Sequence, residues 1–184
     1  MRHSMRLAAF LVGMWLGGLL VVGLAIPAGF RAVDNILKDP DPQAGNLIQK
    51  LGSDEARILM RHTVSTGNRE FFYLWGATQV GLSGILLAYL IFGTSTGRVS
   101  LTLAGLMFIL ALWMMLWLIP QVDKVSRGLD FDRTAAHGAA GETFRALHQM
   151  FGGAELAVVL LALVLLVRFL RHTRIHLSHH RSSV

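Results

Sequence analysis

The stretch Val99–Ile119 reads VSLTLAGLMFILALWMMLWLI and carries no charge. At about 1.5 Å of rise per residue, a helix of this length crosses the roughly 30 Å hydrocarbon layer of a bilayer. Three further runs share its character: Leu7–Phe30, Phe71–Phe92 and Ala154–Leu170. Only one acid, Glu155, lies inside the four. The runs are continuous rather than alternating, so a barrel is disfavoured and each segment must satisfy its backbone within its own helix. The expectation is an all-α, four-helix transmembrane bundle forming one domain. Its spans fall at about 7–30, 71–92, 99–119 and 142–171, with connections at 31–70 and 120–141 and a tail at 172–184.

Composition agrees. The chain has 184 residues, 53% of them apolar, with a mean hydropathy of +0.53. It has no cysteine, which excludes disulfides, thiolate metal sites and cysteine nucleophiles. A pI near 10.8 could suggest nucleic acid, but the placement of charge argues for a membrane instead. The two tails and the 93–98 turn hold Arg2, Arg6, Arg98, Arg168, Arg171, Arg174 and Arg181 and no acid. The stretches 31–70 and 120–153 balance ten basic residues against ten acidic ones. Raw counts of Lys and Arg favour the connections, but their density favours the tails, and positive charge in short segments stays inside. Both termini are therefore expected in the cytoplasm of a bacterium, with the chain in its inner membrane. The basic start Met1–Arg6 resembles a signal peptide, but the apolar stretch after it exceeds the usual 7–15 residues and reads as an uncleaved helix.

Several details refine this plan. Pro27 is expected to end the first span and Pro120 the third. Between Asp39-Pro40-Asp41-Pro42 and the second span, Leu47, Ile48, Leu51, Ile58 and Leu59 return at helical intervals. They predict an amphipathic helix over about 44–61, lying on the outer surface or capping the bundle. Gly152-Gly153 could bend the last helix. Gly13 and Gly17, with Gly76 and Gly84, offer small faces for close helix packing. Arg168, Arg171 and Arg174 are placed to meet anionic headgroups of the inner leaflet, at about 1 kcal/mol per basic residue.

Candidate chemistry gathers at the outer boundary. Seven residues separate His148 from Glu155, two turns on one helical face, about 10 Å apart along the axis. Gly152 leaves a gap in volume between them. An intramembrane acid is a functional candidate by default. The plainer reading is a boundary carboxylate hydrogen-bonded to Gln79, a Trp, or backbone near Pro27 or Pro120. Together His148, Glu155 and Gln79 would line a polar pocket. A Cu(I) path through His148, Met114 and Met115 is chemically sensible, since thioether and imidazole suit that ion, although methionines at helical spacing more often pack. No cofactor is expected unless it is copper at this site. The His172, His176, His179 and His180 tail reads as solvated, as do Asp130 and Asp132. No phosphate loop, catalytic serine motif or carboxylate pair in a pocket is visible, and the protein is not expected to be an enzyme.

Trp15-Leu16-Gly17-Gly18 followed by Ala25-Ile26-Pro27-Ala28-Gly29-Phe30, then Trp117-Leu118-Ile119-Pro120 and Phe144-Arg145-Ala146-Leu147-His148, resembles the transmembrane protein 205-like family, including bacterial domain of unknown function 4149. The resemblance implies four membrane helices, distantly like copper-resistance D-type membrane domains, and no agreed activity. Two departures stand out: a longer first connection with its proline-rich turn, and an acid at 155 where family members often carry an amide or other neutral residue. The functional expectation is a membrane protein that handles, or confers tolerance to, a small solute or metal ion. The alternative is an accessory subunit of a larger membrane complex, contacted through the small faces of the first two helices. The bilayer is the expected partner, and nucleic acid is not.

Overall fold

The computed structural model describes residues 2–93, 97–131 and 138–181, with side chains described for 6–93, 97–131 and 138–171. Among the described residues every element is helical. Helix α1 is Arg2–Lys38, α2 Pro42–Leu51, α3 Ser53–Phe92, α4 Arg98–Trp113, α5 Ile119–Leu129 and α6 Ala139–Arg181. One π-helical turn, Met114–Leu118, joins α4 to α5 as a single rod. The rods α1, α3, α4–α5 and α6 stand in that circular order, with α6 closing back against α1. The start of α1 and the end of α6 belong to one end of the bundle. That end is called the terminal end below, and the opposite one the distal end.

Four helices are long and apolar enough to cross a membrane. Only 17% of the most apolar window of α1, and likewise of α6, is buried inside the chain. Apolar surface left uncovered on that scale is solvated by lipid, not water. The chain is an integral membrane protein with an all-α bundle fold.

The rods outrun the apolar runs, which corrects three expectations. Pro27 does not end α1 but lies inside it. Its missing N–H leaves the carbonyl of Gly23 without its usual helical partner. Pro120 does not end the third span. The π turn precedes it, with Ile119 N–H reaching back to the Met114 carbonyl, and the wider winding carries the helix on to Leu129. The expected amphipathic helix is split at Gly52, whose φ of +94° suits glycine. Its first part becomes α2, capped by Asp41, which accepts from the N–H groups of Gln43 and Ala44 at 2.9 Å each. Its second part becomes the start of α3, continuous with the second span. Gly152-Gly153 leaves α6 unbroken.

Toward the terminal end, small residues face large ones. Ala8, Ala104, Ala111 and Ala162 pack among Val12, Trp15, Met107, Leu165 and Phe169, all within 1% of full burial. This interdigitation gives interior density without strain. Ser83, also fully buried, donates to the Gln79 carbonyl at 2.6 Å and so leaves no open hydroxyl in this packing.

Candidate functional site

The site begins with a four-residue spacing on α3. Trp75 and Gln79 share one inward face, and both are buried. The notch that receives Trp75 is Gly18 of α1, because a Cβ there would stand 2.7 Å from the indole ring. Beside Trp75, Gly76 plays the same part toward the α4–α5 rod, since a Cβ would lie 2.7 Å from Ile119 and 2.9 Å from Met115. Two glycines thus let three rods close around one tryptophan.

Glu155 of α6 reaches this layer from across the bundle. Its Oε1 accepts from Gln79 Nε2 at 2.6 Å and from Trp75 Nε1 at 3.1 Å. Glu155 Oε2 is buried without a partner, as is Gln79 Oε1 behind it. Trp15 Nε1 is a third buried, unpartnered atom, deeper toward the terminal end. Asn68 Nδ2 and Arg69 Nε, toward the distal end, are likewise buried without a hydrogen bond among the described residues. Unpaired buried polar atoms are costly and unusual, so five in one bundle are a signal.

Glu155 and Trp75 form the floor of a cleft of about 260 Å³. Val22, Gly23 and Pro27 of α1 wall one side, and His148, Phe151 and Gly152 of α6 the other, with Phe72 between them. Gly23, Pro27 and Gly152 are exposed, so the cleft opens laterally between α1 and α6. A second chamber of about 100 Å³ lies toward the distal end, lined by Phe30, Ser65, Asn68, Arg69, Ser126 and Phe144. His148 and Phe72 border both chambers and the small gap of about 10 Å³ beside Asp123.

Beyond that chamber a buried charge cluster ties α3 to α5. Arg69 Nη1 donates to Asp130 at 2.8 Å and to Ser65 at 3.0 Å, and Nη2 to Thr66 at 2.7 Å. Arg69 Nε lies 3.5 Å from Asp123, which also meets Arg127 at 2.9 Å and the Tyr73 hydroxyl at 3.3 Å. Asp130 is further bonded by Ser65 and by His62 Nδ1, both at 2.9 Å. Burial alone would push the Asp130 carboxyl up, but the hydrogen bonds from Arg69, Ser65 and His62 outweigh it and hold the group below its ordinary value. The expectation that Asp130 is solvated is therefore wrong: its side chain is 8% exposed. Asp132 lies outside the described residues.

The structure joins Gln79 to Glu155 and puts His148 on the same cleft. Met114 is buried in the core and Met115 packs on Gly76; the two chambers that His148 borders include neither. Among the described residues no three His, Asp or Glu side chains gather as a metal would need. A Cβ at Gly84 would meet Phe108 at an ordinary 3.4 Å, while one at Gly13 or Gly17, which face outward, would have nothing within 4 Å. Arg168 Nε lies 3.4 Å from the Ser100 hydroxyl and Arg171 is exposed. The side chains of Arg174 and of the tail histidines lie outside the described residues. Sequence reasoning missed the Arg69 cluster. Its signal was present: His62, Ser65, Thr66 and Arg69 recur at the spacing of one helical face.

Comparison with curated proteins and with solved structures finds no match. Comparison with protein families finds one, over residues 10–128, to the domain of unknown function DUF4149. The matched stretch runs from α1 into α5. It holds Trp75, Gln79, Arg69 and Asp123, and it stops short of the helix that supplies His148 and Glu155. With well over half of its length matched, this chain belongs to the DUF4149 family.

Proposed function

We propose that this membrane protein binds a small solute in the lateral cleft between α1, α3 and α6, with Glu155 as the polar anchor, Gln79 and Trp75 holding that carboxylate, and His148 at the distal mouth. The observation that carries the reading is a 260 Å³ cleft, open to the side, with a half-satisfied buried carboxylate at its floor. Ligand sites have this make-up of apolar walls and a few placed polar groups. The volume lies below the roughly 300–1,000 Å³ of drug-sized pockets, so the ligand is small. A solute is favoured over copper because His148 shares neither chamber with Met114 or Met115.

The test uses 6-bromohexan-1-ol, whose bromine quenches indole on contact. The full chain carries Trp113→Phe and Trp117→Phe, leaving Trp15 and Trp75 as the reporters. Saturable quenching that disappears in Gly152→Phe, with the melting temperature kept, supports the cleft as a binding site. Quenching that rises linearly and equally in both proteins, with this probe and with 6-bromohexylammonium alike, refutes it. A second reading, an accessory subunit, draws support from the open Gly13–Gly17 face of α1. It is tested by co-purification in mild detergent with and without Gly13→Leu.

A further inference from the structure

The chemistry of the floor narrows the ligand class. Glu155 Oε1 already takes two donors, and Oε2 takes none. Both donors at the floor, Gln79 Nε2 and Trp75 Nε1, are spent on that one oxygen. Among the described residues no lysine or arginine stands on the cleft wall, and His148 there makes no bond to Glu155. Trp15 Nε1, although unpartnered, does not border the cleft. A carboxylate removed from water with no counter-charge is expensive, and the missing partner is a cation that also donates hydrogen bonds.

The wall states the rest of the requirement. Phe72, Trp75 and Phe151 present aromatic surface beside the acid, and ring faces attract ammonium groups. Phe72 and Phe151 stand edge to face, with ring centroids 5.0 Å apart, so one ring turns its edge to the other's face. Val22 and Ile26 add an aliphatic side that suits an apolar body. The side opening at Gly23, Pro27 and Gly152 lies between two lipid-facing helices, an entry for an amphiphile.

We propose that the ligand of this cleft is a protonated amine with an apolar body, its N–H groups donating to the Glu155 carboxylate, whose buried Oε2 a turn of the side chain brings to the cleft. This rests on the cleft reading above and adds the ammonium requirement to it. The same chemistry could arrive as a soluble alkylamine or as the primary ammonium of a lipid headgroup.

The test compares 6-bromohexylammonium with 6-bromohexan-1-ol, two probes alike except for the charged donor. Both are titrated at pH 7 against the full chain with Trp113→Phe and Trp117→Phe, in a nonionic detergent. Half-saturation by the ammonium at a concentration at least tenfold lower than by the alcohol is expected. That preference should fall below threefold in Glu155→Gln. Equal half-saturation of the parent protein by both probes overturns the ammonium class while leaving the cleft in place, and it needs no Glu155 variant. Saturation by neither probe removes the cleft reading itself. A preference that survives in a folded Glu155→Gln also overturns the proposal. Nanodiscs separate the two sources. Weaker binding of the ammonium probe in discs rich in phosphatidylethanolamine than in phosphatidylcholine supports a headgroup ligand, because only the former carries N–H donors. Equal binding in the two supports a soluble amine.

Discussion

The two ends of this bundle are built on opposite plans from the same four rods. Toward the terminal end, alanines face large side chains, and Leu86, Met107, Val158 and Leu165 are each at most 1% exposed. The buried hydroxyls there are already bonded, Ser83 to the backbone and Ser100 to Arg168. Toward the distal end, two prolines stand within the rods, one after a π turn, two chambers open, and charge is buried in Arg69, Asp123 and Asp130. The contrast teaches that close packing and room for a ligand are local choices within one bundle. Where small and large residues alternate, the rods seal. Where glycine, proline and aromatic residues meet, they part, and polar groups then bridge the gap.

The sharpest way to break the distal plan is Arg69→Ala. It leaves two aspartates without their buried cation, and about 3–5 kcal/mol of stability should be lost. Thermal unfolding in detergent should show it as a lower transition than that of Arg69→Ala combined with Asp130→Asn. If the single variant melts like the parent, the cluster does not hold α3 to α5.

The terminal plan is tested by Leu165→Ala, a pure packing loss with an expected cost of about 2–5 kcal/mol. An unchanged melting temperature would show that the sealed half is softer than its burial indicates.

The pH dependence distinguishes the two halves. The Asp130 carboxyl titrates below its ordinary value in the folded chain, so its contribution is fully present above the unfolded value of about 3.9. That contribution falls as acid carries the pH down through the folded value. Stability measured downward from pH 5 should therefore decline more steeply in the parent than in Asp130→Asn. Parallel profiles would mean that the bonds from Arg69, Ser65 and His62 do not favour the charged form.

The smallest effect belongs to Gly13→Leu and Gly17→Leu. Both positions face open space, so the isolated chain should shift by no more than about 0.5 kcal/mol. A large loss in the monomer would mean that α1 packs there against its own chain.

Much of this was legible in the residues, for identifiable reasons. Apolar runs reveal spans because lipid acts on every residue of a helix, and the four runs coincide with four membrane-competent rods. The pairing of Glu155 with Gln79 and a tryptophan was also legible, since a buried acid must find donors. Helix ends were not. Pro27 and Pro120 read as stops, but packing and a π turn absorbed them. Asp130 looked like a solvated loop acid because its partners, His62, Ser65 and Arg69, lie more than sixty residues away in sequence. Local pattern carries no record of a meeting that only tertiary packing arranges. Trp75 was not singled out for a similar reason: the notch at Gly18 that seats it belongs to another helix.

The length of the rods has one more consequence. Each of the four extends well past a hydrocarbon layer, so length alone does not set how high the molecule rides in its membrane. The setting comes from the charges. Arg6 to Arg31, Arg98 to Asp123 and Arg145 to Arg168 bracket 22 to 24 residues whose only charge is Glu155. At 1.5 Å per residue these brackets are about 33–36 Å tall. They fix a vertical registry for a bilayer of ordinary or slightly greater thickness, and a thinner one would have to be met by leaning.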